Sequence, residues 1–398
     1  MKELAQKVFK FYASYGVAVV MLLLLFTLTL LGTLEQVNQS LFDVQKKYFT
    51  SIALVHHLAL PGLAFKLPLP LPGGYLVMSL LFGNLICGGL IRSRKSKYTV
   101  GILIAHAGMI ILFLGALVTF KWADHGNMLL CEGESADEFV SYNKWNIEIV
   151  KAGAGRETLA ITQESYIGLG GDRSRTFYSK ALPFDLEVRG YARNSRPVET
   201  ATTAGDRVVD GYRLEARPLE DKEPQNQPGA YVVITNKETG EETGGIIWAG
   251  YIEHTSGGWV KSDPLTVRSG DDAYTIGLTK KRWPVPFEIR LDDFIKDMHP
   301  GTGMAANYES EITKFEDGQE ERSRIYMNHP LRHKGYTLFQ ESFQEYPDGT
   351  QYSQLAVWRN PADQWPLYSC IVMSVGLLFH MVQKLLKYMK VESERRAA

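Results

Sequence analysis

Four apolar blocks constrain the fold of this 398-residue chain more than any other feature. Each is near the roughly 20 residues that a helix needs to cross a bilayer. The segment 121–363, between the third and fourth blocks, is polar and far too long for a connecting loop. We therefore predict an integral membrane protein with four spanning helices and one large domain inserted between the last two. The predicted spans are residues 15–34, 73–91, 99–120 and 364–386.

Basic residues beside the blocks predict the orientation, since Lys and Arg are retained on the cytoplasmic side. All three basic clusters fall on one side if both termini are cytoplasmic. The link 35–72 and the segment 121–363 are then extracytoplasmic, on the periplasmic side of a bacterial inner membrane or across a thylakoid membrane. No small-x-small cleavage site follows the first block, which favours an uncleaved anchor over a signal peptide. The clusters are Lys2, Lys7 and Lys10; Arg92, Arg94, Lys95 and Lys97; and Lys384, Lys387, Lys390, Arg395 and Arg396.

Cysteine usage and charge exclude several functions. Three cysteines are too few for a disulfide framework in an exported domain of this size. Cys87 and Cys370 lie within predicted spans, which leaves Cys131 outside, where we interpret it as incidental. The chain has neither CxxC nor CxxCH, so we predict neither a thiol oxidoreductase nor a c-type cytochrome. A net charge of -1 carries no nucleic-acid signature.

The link 35–72 divides into two parts. Residues 41–60 mix aromatic, aliphatic and basic side chains, a pattern that suits a helix lying at the membrane interface. The proline-punctuated stretch 61–74 predicts an extended chain. His56 and His57 fall in the first part, and we interpret them as polar interfacial residues rather than ligands.

The segment 121–363 is predicted to be all β. Short alternating runs are separated by frequent turn signals, which favours a sandwich or an open barrel over a parallel α/β sheet. Residues 181–197 and 284–300 resemble each other, each with Pro-Phe entering an alternating strand. This echo favours two related β subdomains, with chance similarity as the alternative. The predicted domains are thus 1–120, 121–363 and the last span with its basic tail, 364–398.

His106 and His380 are the histidines inside predicted spans. An ionisable side chain within a bilayer is costly and is commonly functional. Both lie in the predicted cytoplasmic half, His106 about 12 Å and His380 about 6 Å from the nearest basic cluster at 1.5 Å per residue. Two imidazoles on facing helices are able to ligate one haem iron, so we predict both as metal and cofactor ligands. The alternative is a hydrogen bond to a neighbouring helix or, for His380, snorkelling to the interface.

The segment 325–343, IYMNHPLRHKGYTLFQESF, has no catalytic spacing. Its composition predicts two strands joined by turns. His329 and His333 are four residues apart, but Pro330 and Gly335 argue against the helix that a metal site of that spacing needs. We expect no catalytic residue in this chain.

The same segment resembles the signature N-x-P-L-x-x-x-G-Y-x-x-x-Q-x-S of the ResB (CcsB) family of cytochrome c biogenesis proteins. Other parts agree in order: GTLEQ after the first span, His106-Ala-Gly in the third, and PFEIRLDDF followed by HPGT. The layout of three spans, a β domain and a last span is also similar to that family. The signature positions are Asn328, Pro330, Leu331, Gly335, Tyr336, Gln340 and Ser342.

This resemblance implies a membrane subunit of the system II cytochrome c synthase. Such a subunit works with a CcsA (ResC) partner to carry haem b across the membrane and attach it to reduced apocytochrome c, whose thiols a thioredoxin-like protein reduces. The family's intramembrane haem ligand corresponds to His106. The chain lacks the tryptophan-rich haem motif of the partner, so we expect an incomplete haem lyase subunit that is not catalytic alone. A bis-histidine cytochrome b and a cofactor-free assembly scaffold are the alternatives.

Overall fold

The chain forms two units in the computed structural model. One unit comprises Met1–Asp124 with Trp358–Ala398, and the other comprises His125–Val357. The first unit carries the long helices and a two-stranded sheet, and the second carries the larger β-sheets. The structure describes residues 2–58, 67–153, 158–200, 208–254, 258–261, 263–270, 272–302, 305–346 and 349–397.

Six α-helices lie in the described part of the chain, and apolar composition explains the longest of them. Four helices are long and apolar enough to cross a membrane: Tyr15–Glu35, Gly74–Ile91, Val100–Trp122 and Trp365–Arg396. They coincide with the four apolar blocks of the sequence. The α-helices are α1 (Lys2–Tyr12), α2 (Tyr15–Glu35), α3 (Leu41–Val44), α4 (Gly74–Asn84), α5 (Val100–Trp122) and α6 (Trp365–Ala397).

The last helix runs beyond the predicted end of its span at residue 386. It continues through the basic tail as α6 to Ala397. The tail is rich in good helix formers, and ion pairs four residues apart add support at Lys390–Glu394 and Arg396–Glu392. The apolar block alone therefore underestimated the length of this helix.

The second apolar helix changes its winding halfway. After Asn84 the α-helix becomes a π-helix, Leu85–Ile91. Asn84 is buried, and its Nδ2 donates hydrogen bonds to the carbonyl oxygens of Tyr12 and Ser14 at 2.5 and 3.3 Å. These two carbonyl oxygens lie at the break between α1 and α2. In apolar surroundings they would have no hydrogen-bond partner without the amide of Asn84.

The link between the first two apolar helices corrects part of the prediction. A helical stretch does begin at Leu41, but it ends as a π-helix, Gln45–Phe49. The remainder forms a hairpin of β1 (Ala53–Leu58) and β2 (Leu67–Pro72), so His56 and His57 lie on a strand and not on a helix. Side chains of residues 53–58 point alternately to the two faces of the hairpin. This period of two residues fits a strand and does not fit a helix, whose period is 3.6. The predicted extended chain agrees with β2, while 59–66 lies outside the described residues.

The β unit is built from antiparallel sheets around two hydrophobic clusters. A ten-stranded sheet and a four-stranded sheet are its largest parts. The strands of the first half are β3 (Asp124–Cys131), β4 (Ser135–Lys151), β5 (Thr158–Thr162), β6 (Ser174–Phe177), β7 (Phe184–Ala192), β8 (Ser195–Glu199), β9 (Tyr212–Ala216), β10 (Gly229–Asn236) and β11 (Glu242–Trp248). Those of the second half are β12 (Tyr251–His254), β13 (Gly258–Lys261), β14 (Leu265–Ser269), β15 (Asp272–Met298), β16 (Ala305–Glu316), β17 (Gln319–Ile325), β18 (Leu331–His333), β19 (Tyr336–Glu345) and β20 (Gln351–Arg359).

Two long strands connect the clusters. β4 has 17 residues and β15 has 27, and each contributes side chains to both cores. The two similar segments enter different cores, through Phe184 in one and Phe287 in the other. Because β4 and β15 pass through both cores, the two halves share strands and pack as one unit.

Candidate functional site

The third apolar helix packs against the second along a regular seam. The contacts recur every seven residues on both helices, which is the spacing expected where two helices cross at a shallow angle. At one end of the seam an imidazole takes the place of an aromatic ring. The contacting pairs are His106 with Gly89, Phe113 with Phe82, and Phe120 with Tyr75.

Glycine is required where the imidazole packs. A side-chain carbon on Gly89 would overlap Cδ2 of His106. Gly89 lies in the π-helix Leu85–Ile91, whose wider turn changes which residues face α5. The winding of the second apolar helix therefore creates the space that His106 occupies.

The protonation of His106 follows from its partner. Its Nδ1 lies 2.7 Å from the carbonyl oxygen of Ile102, one turn earlier in α5. A carbonyl only accepts hydrogen bonds, so Nδ1 carries the proton. The neutral ring then has its lone pair on Nε2, the tautomer in which histidine binds metals.

Small residues bring α5 and α6 into close contact on another face. A side-chain carbon on Gly376 would lie 2.6 Å from the backbone nitrogen of Ala105, and one on Gly101 would lie 2.8 Å from Cβ of His380. Ser369 is fully buried and donates a 2.8 Å hydrogen bond to the carbonyl oxygen of Gly108. Close backbone approach through small residues is typical of helices that pack within membranes.

His106 and His380 face different neighbours. Gly101, which contacts His380, precedes His106 by five residues, about 7.5 Å along the axis and about 140° around the helix. The structure thus puts His106 on the Gly89 side of α5 and His380 on the α6 side. Nδ1 of His380 is buried without a hydrogen-bond partner in the described part of the chain. Buried polar atoms without a hydrogen-bond partner are rare in proteins, so this nitrogen is a candidate to bind a ligand or a partner protein.

The signature segment 325–343 serves the fold of the β unit. Asn328, Lys334 and Gly335 have positive φ values of 64°, 45° and 80°. Asn and Gly tolerate this left-handed conformation best, which explains why they occupy the turns on either side of β18. Tyr336 is buried between the edges of Phe139 and Phe287.

The polar signature residue Gln340 belongs to a buried network. Its Oε1 accepts a 2.7 Å hydrogen bond from Ser310, and its Nε2 donates to Ser353 Oγ at 3.0 Å and to the carbonyl oxygen of Ser342 at 3.3 Å. Ser310 and Ser353 are fully buried and lie 2.7 Å apart. Satisfied polar networks of this kind specify one packing of a core.

The two histidines of the signature segment do not form a metal site. Nε2 of His333 lies 2.7 Å from Glu316 Oε2, and its Nδ1 lies 3.2 Å from Lys314 Nζ, so both ring nitrogens are engaged. His329 stacks on Tyr326 in a turn. No group of three or more potential metal-ligating side chains occurs among the residues that the structure describes. His333 lies on β18 and His329 in the preceding turn, so the two histidines do not share a helix.

A second polar cluster lies at the end of α2. Glu35 forms an ion pair with Lys47, at 2.6 Å, and a hydrogen bond with the hydroxyl of Tyr48. The same hydroxyl lies 2.5 Å from Nδ1 of His56. Burial, followed by the hydrogen bond and charge of Glu35, raises the pKa of Tyr48, which keeps its proton. This cluster is not evident from the sequence, because its members come from a helix, a π-helix and a strand.

The fold and these two sites define a membrane-associated protein with a histidine in a helix long and apolar enough to cross a membrane, and with a large antiparallel β unit. Residues 259–350 match the ResB-like family, which confirms the predicted resemblance over that segment. The family match indicates a general role in cytochrome c biogenesis. A search of curated proteins finds no match to the chain.

Proposed function

We propose that the chain is the membrane subunit of a system II cytochrome c synthase. In this role it binds haem within the membrane, works with a CcsA/ResC-type partner, and helps to deliver the haem to apocytochrome c for covalent attachment. The observation that carries the proposal is His106, an imidazole within the apolar part of α5 whose Nδ1 lies 2.7 Å from the carbonyl oxygen of Ile102. The match of residues 259–350 to the ResB-like family supports it independently.

Haem is the substrate in this proposal, and its iron accepts an imidazole nitrogen as an axial ligand. Coordination would offset the cost of removing the imidazole of His106 from water. A Cβ on Gly89 would overlap Cδ2 of His106 and lie 3.2 Å from its Nε2, so the second apolar helix packs against this edge of the ring and would have to shift for haem to reach Nε2. Phe113 and Phe82 continue the same seam and offer an apolar surface.

The second axial ligand is proposed to come from the partner. His380 lies on the α6 side of α5, away from the face that carries His106. Simultaneous coordination by both would therefore require α5 or α6 to rotate. His380 remains predicted as a ligand, and the experiment below tests it separately.

The β unit is proposed to hold apocytochrome c or the partner on the extracytoplasmic side. Its signature residues form turns and the buried network around Gln340. Because these side chains already have structural roles, we favour a role in positioning over a role in catalysis. Bringing the CxxCH thiols and the haem vinyl groups together can itself accelerate the reaction greatly. A thioredoxin-like reductant would keep those thiols reduced.

The test is the visible absorption spectrum of the detergent-purified full chain, expressed with and without its partner. We expect a haem Soret band that His106→Ala abolishes and Gly89→Leu weakens, because the added side chain displaces the imidazole. His299→Ala, in an exposed turn, is the matched control. Loss of the band in His380→Ala would make His380 the second ligand.

Covalent haem attachment to a reporter cytochrome c gives a second readout. Maturation should fall in parallel with the Soret band in His106→Ala. Unchanged maturation and unchanged haem content in that variant would refute the haem-binding role and favour a scaffold. A haem band that His106→Ala and His380→Ala both abolish, with maturation intact, would favour a cytochrome b.

A further inference from the structure

Hydrogen-bond counting defines the protonation of the cluster at the end of α2. Tyr48 is fully buried, and its hydroxyl contacts both Glu35 and His56. The ion pair with Lys47 keeps Glu35 ionised, and a carboxylate only accepts hydrogen bonds. The single hydroxyl proton therefore goes to Glu35, so the tyrosine oxygen must accept from Nδ1–H of His56. When the imidazole of His56 is neutral, its lone pair is then on Nε2.

Nε2 of His56 is available. Within the described ranges it has no hydrogen-bond partner, and 13% of the side-chain surface is exposed. A metal-ligating histidine commonly donates its other ring N–H to a hydrogen-bond acceptor, which orients the ring and raises its basicity. Here the hydroxyl of Tyr48 is that acceptor, and it hydrogen-bonds in turn to Glu35.

His56 shares one face of the hairpin with leucines. His56 pairs with Leu69 across the two strands, and the neighbouring pairs on the same face are also leucines. Leu54 is 8% exposed and packs in a core with Tyr48, whereas Leu67 and Leu69 are 44% and 39% exposed, so this face is open only toward the Leu67 end. The pairs on this face are Leu54 with Leu71, His56 with Leu69, and Leu58 with Leu67.

The chemistry of this face distinguishes a haem from a free metal ion. A free transition-metal ion needs three or four protein ligands, and the described residues contain no group of three that could supply them. Haem iron already has four porphyrin nitrogens and needs only axial ligands. Its flat apolar ring also matches a leucine-lined surface.

We propose that Nε2 of His56 is a second haem ligand of this chain, with Tyr48 and Glu35 as positioning residues. The inference rests on the proposed function for the identity of the ligand. His56 follows α2 beyond Glu35, on the side of the membrane that the basic clusters predict to be extracytoplasmic, whereas His106 lies six residues from the start of α5. The chain would thus offer one imidazole near each end of the path that the haem takes.

The experiment is a titration of the full chain in detergent with ferric haem, followed at the Soret band. All variants carry His106→Ala and His380→Ala so that the intramembrane histidines do not contribute. His56→Asn retains a donor to Tyr48 but lacks Nε2, and we expect it to weaken haem binding at least tenfold. Tyr48→Phe should weaken binding about tenfold through loss of orientation. His57→Asn, on the opposite face of β1, is the matched control and should bind normally.

Rescue by free imidazole distinguishes loss of the haem ligand from loss of folding. His56→Gly should regain the Soret shift when free imidazole is added, because the small ligand occupies the vacated position. Equal haem affinity in His56→Asn and its parent would overturn the proposal. The two failures are distinguishable, because the proposed function fails instead if His106→Ala alone leaves both haem content and maturation unchanged.

Discussion

Ser369 on α6 donates a 2.8 Å hydrogen bond to the carbonyl oxygen of Gly108 on α5, although the two residues are 261 positions apart. The whole β unit is inserted between these partners in sequence. The bond is buried, and Gly101, Ala105 and Gly376 complete the contact between the two helices. The helices on either side of the insertion are therefore paired directly, by backbone approach rather than by interlocking large side chains.

Gly376 is the position where this pairing is most easily disturbed. Gly376→Leu would insert a side chain where even Cβ lies 2.6 Å from the nitrogen of Ala105. We expect a loss of about 1–3 kcal/mol from the free energy of unfolding, measured by denaturation in detergent. Val375→Leu is the control, because Val375 is 53% exposed on the same helix. Equal stability of the two variants would show that α5 and α6 do not pack through Gly376.

The turn before β19 depends on a left-handed residue. Gly335 has φ 80°, and no atom lies near the position of an added Cβ, so Gly335→Ala tests backbone strain alone. We expect a destabilisation of about 1–2 kcal/mol in denaturant unfolding. Gly168→Ala also adds a methyl group in open space, but without positive φ, and should change stability much less. A neutral Gly335→Ala would contradict the strained turn.

The buried network predicts that replacing Gln340 alone lowers the free energy of unfolding, because its serine partners stay buried without it. Gln340→Leu would leave Ser310 and Ser353 without their amide partner in a fully buried position. We expect a destabilisation of about 1–3 kcal/mol, measured as a shift in the denaturation midpoint at constant slope. The exposed Gln344→Leu serves as control. A midpoint shift no larger than that of the control would mean that the network contributes little.

Lys280 predicts a pH dependence of stability. Its Nζ donates to the carbonyl oxygen of Tyr142 and lies over the ring of Trp145, in a cavity of about 670 Å³. Burial lowers the pKa of Lys280 to about 8, from an ordinary value of 10.5, and Glu223 partly opposes this shift. Between these two values the unfolded chain binds more protons, so stability gains with rising pH from this group.

Denaturation of the parent and of Lys280→Met across pH 7.5 to 10.5 measures this contribution. We expect the stability of the parent, relative to the variant, to rise through that window by at most about 1.4 kcal/mol per pH unit. Below about pH 8 the difference should level off, since both states of the parent then carry the proton. A difference that is flat or falls with pH would contradict the lowered pKa.

Local features of the structure follow closely from sequence. The first three apolar helices begin and end near the predicted residues because about 20 apolar residues suffice to specify a spanning helix, whereas α6 continues past its apolar block to Ala397. The strand and turn pattern around Asn328 and Gly335 was likewise predictable, since positive φ selects those residue types. The helix expected across residues 41–60 was wrong beyond Phe49, because pairing with β2 prevailed over the amphipathic pattern.

The sequence by itself determined the class of this protein: four apolar helices, an antiparallel β unit and the signature of the ResB-like family. Only the tertiary structure decided which groups meet. His106 lies against Gly89 because the second apolar helix widens into a π-helix, and Glu35 reaches His56 through Tyr48 because a hairpin follows a short helix. The local periodicity of apolar residues specifies whether a residue lies in a helix or in a strand. The partners of its side chain depend on helix phase and strand register, which are set by packing between distant segments.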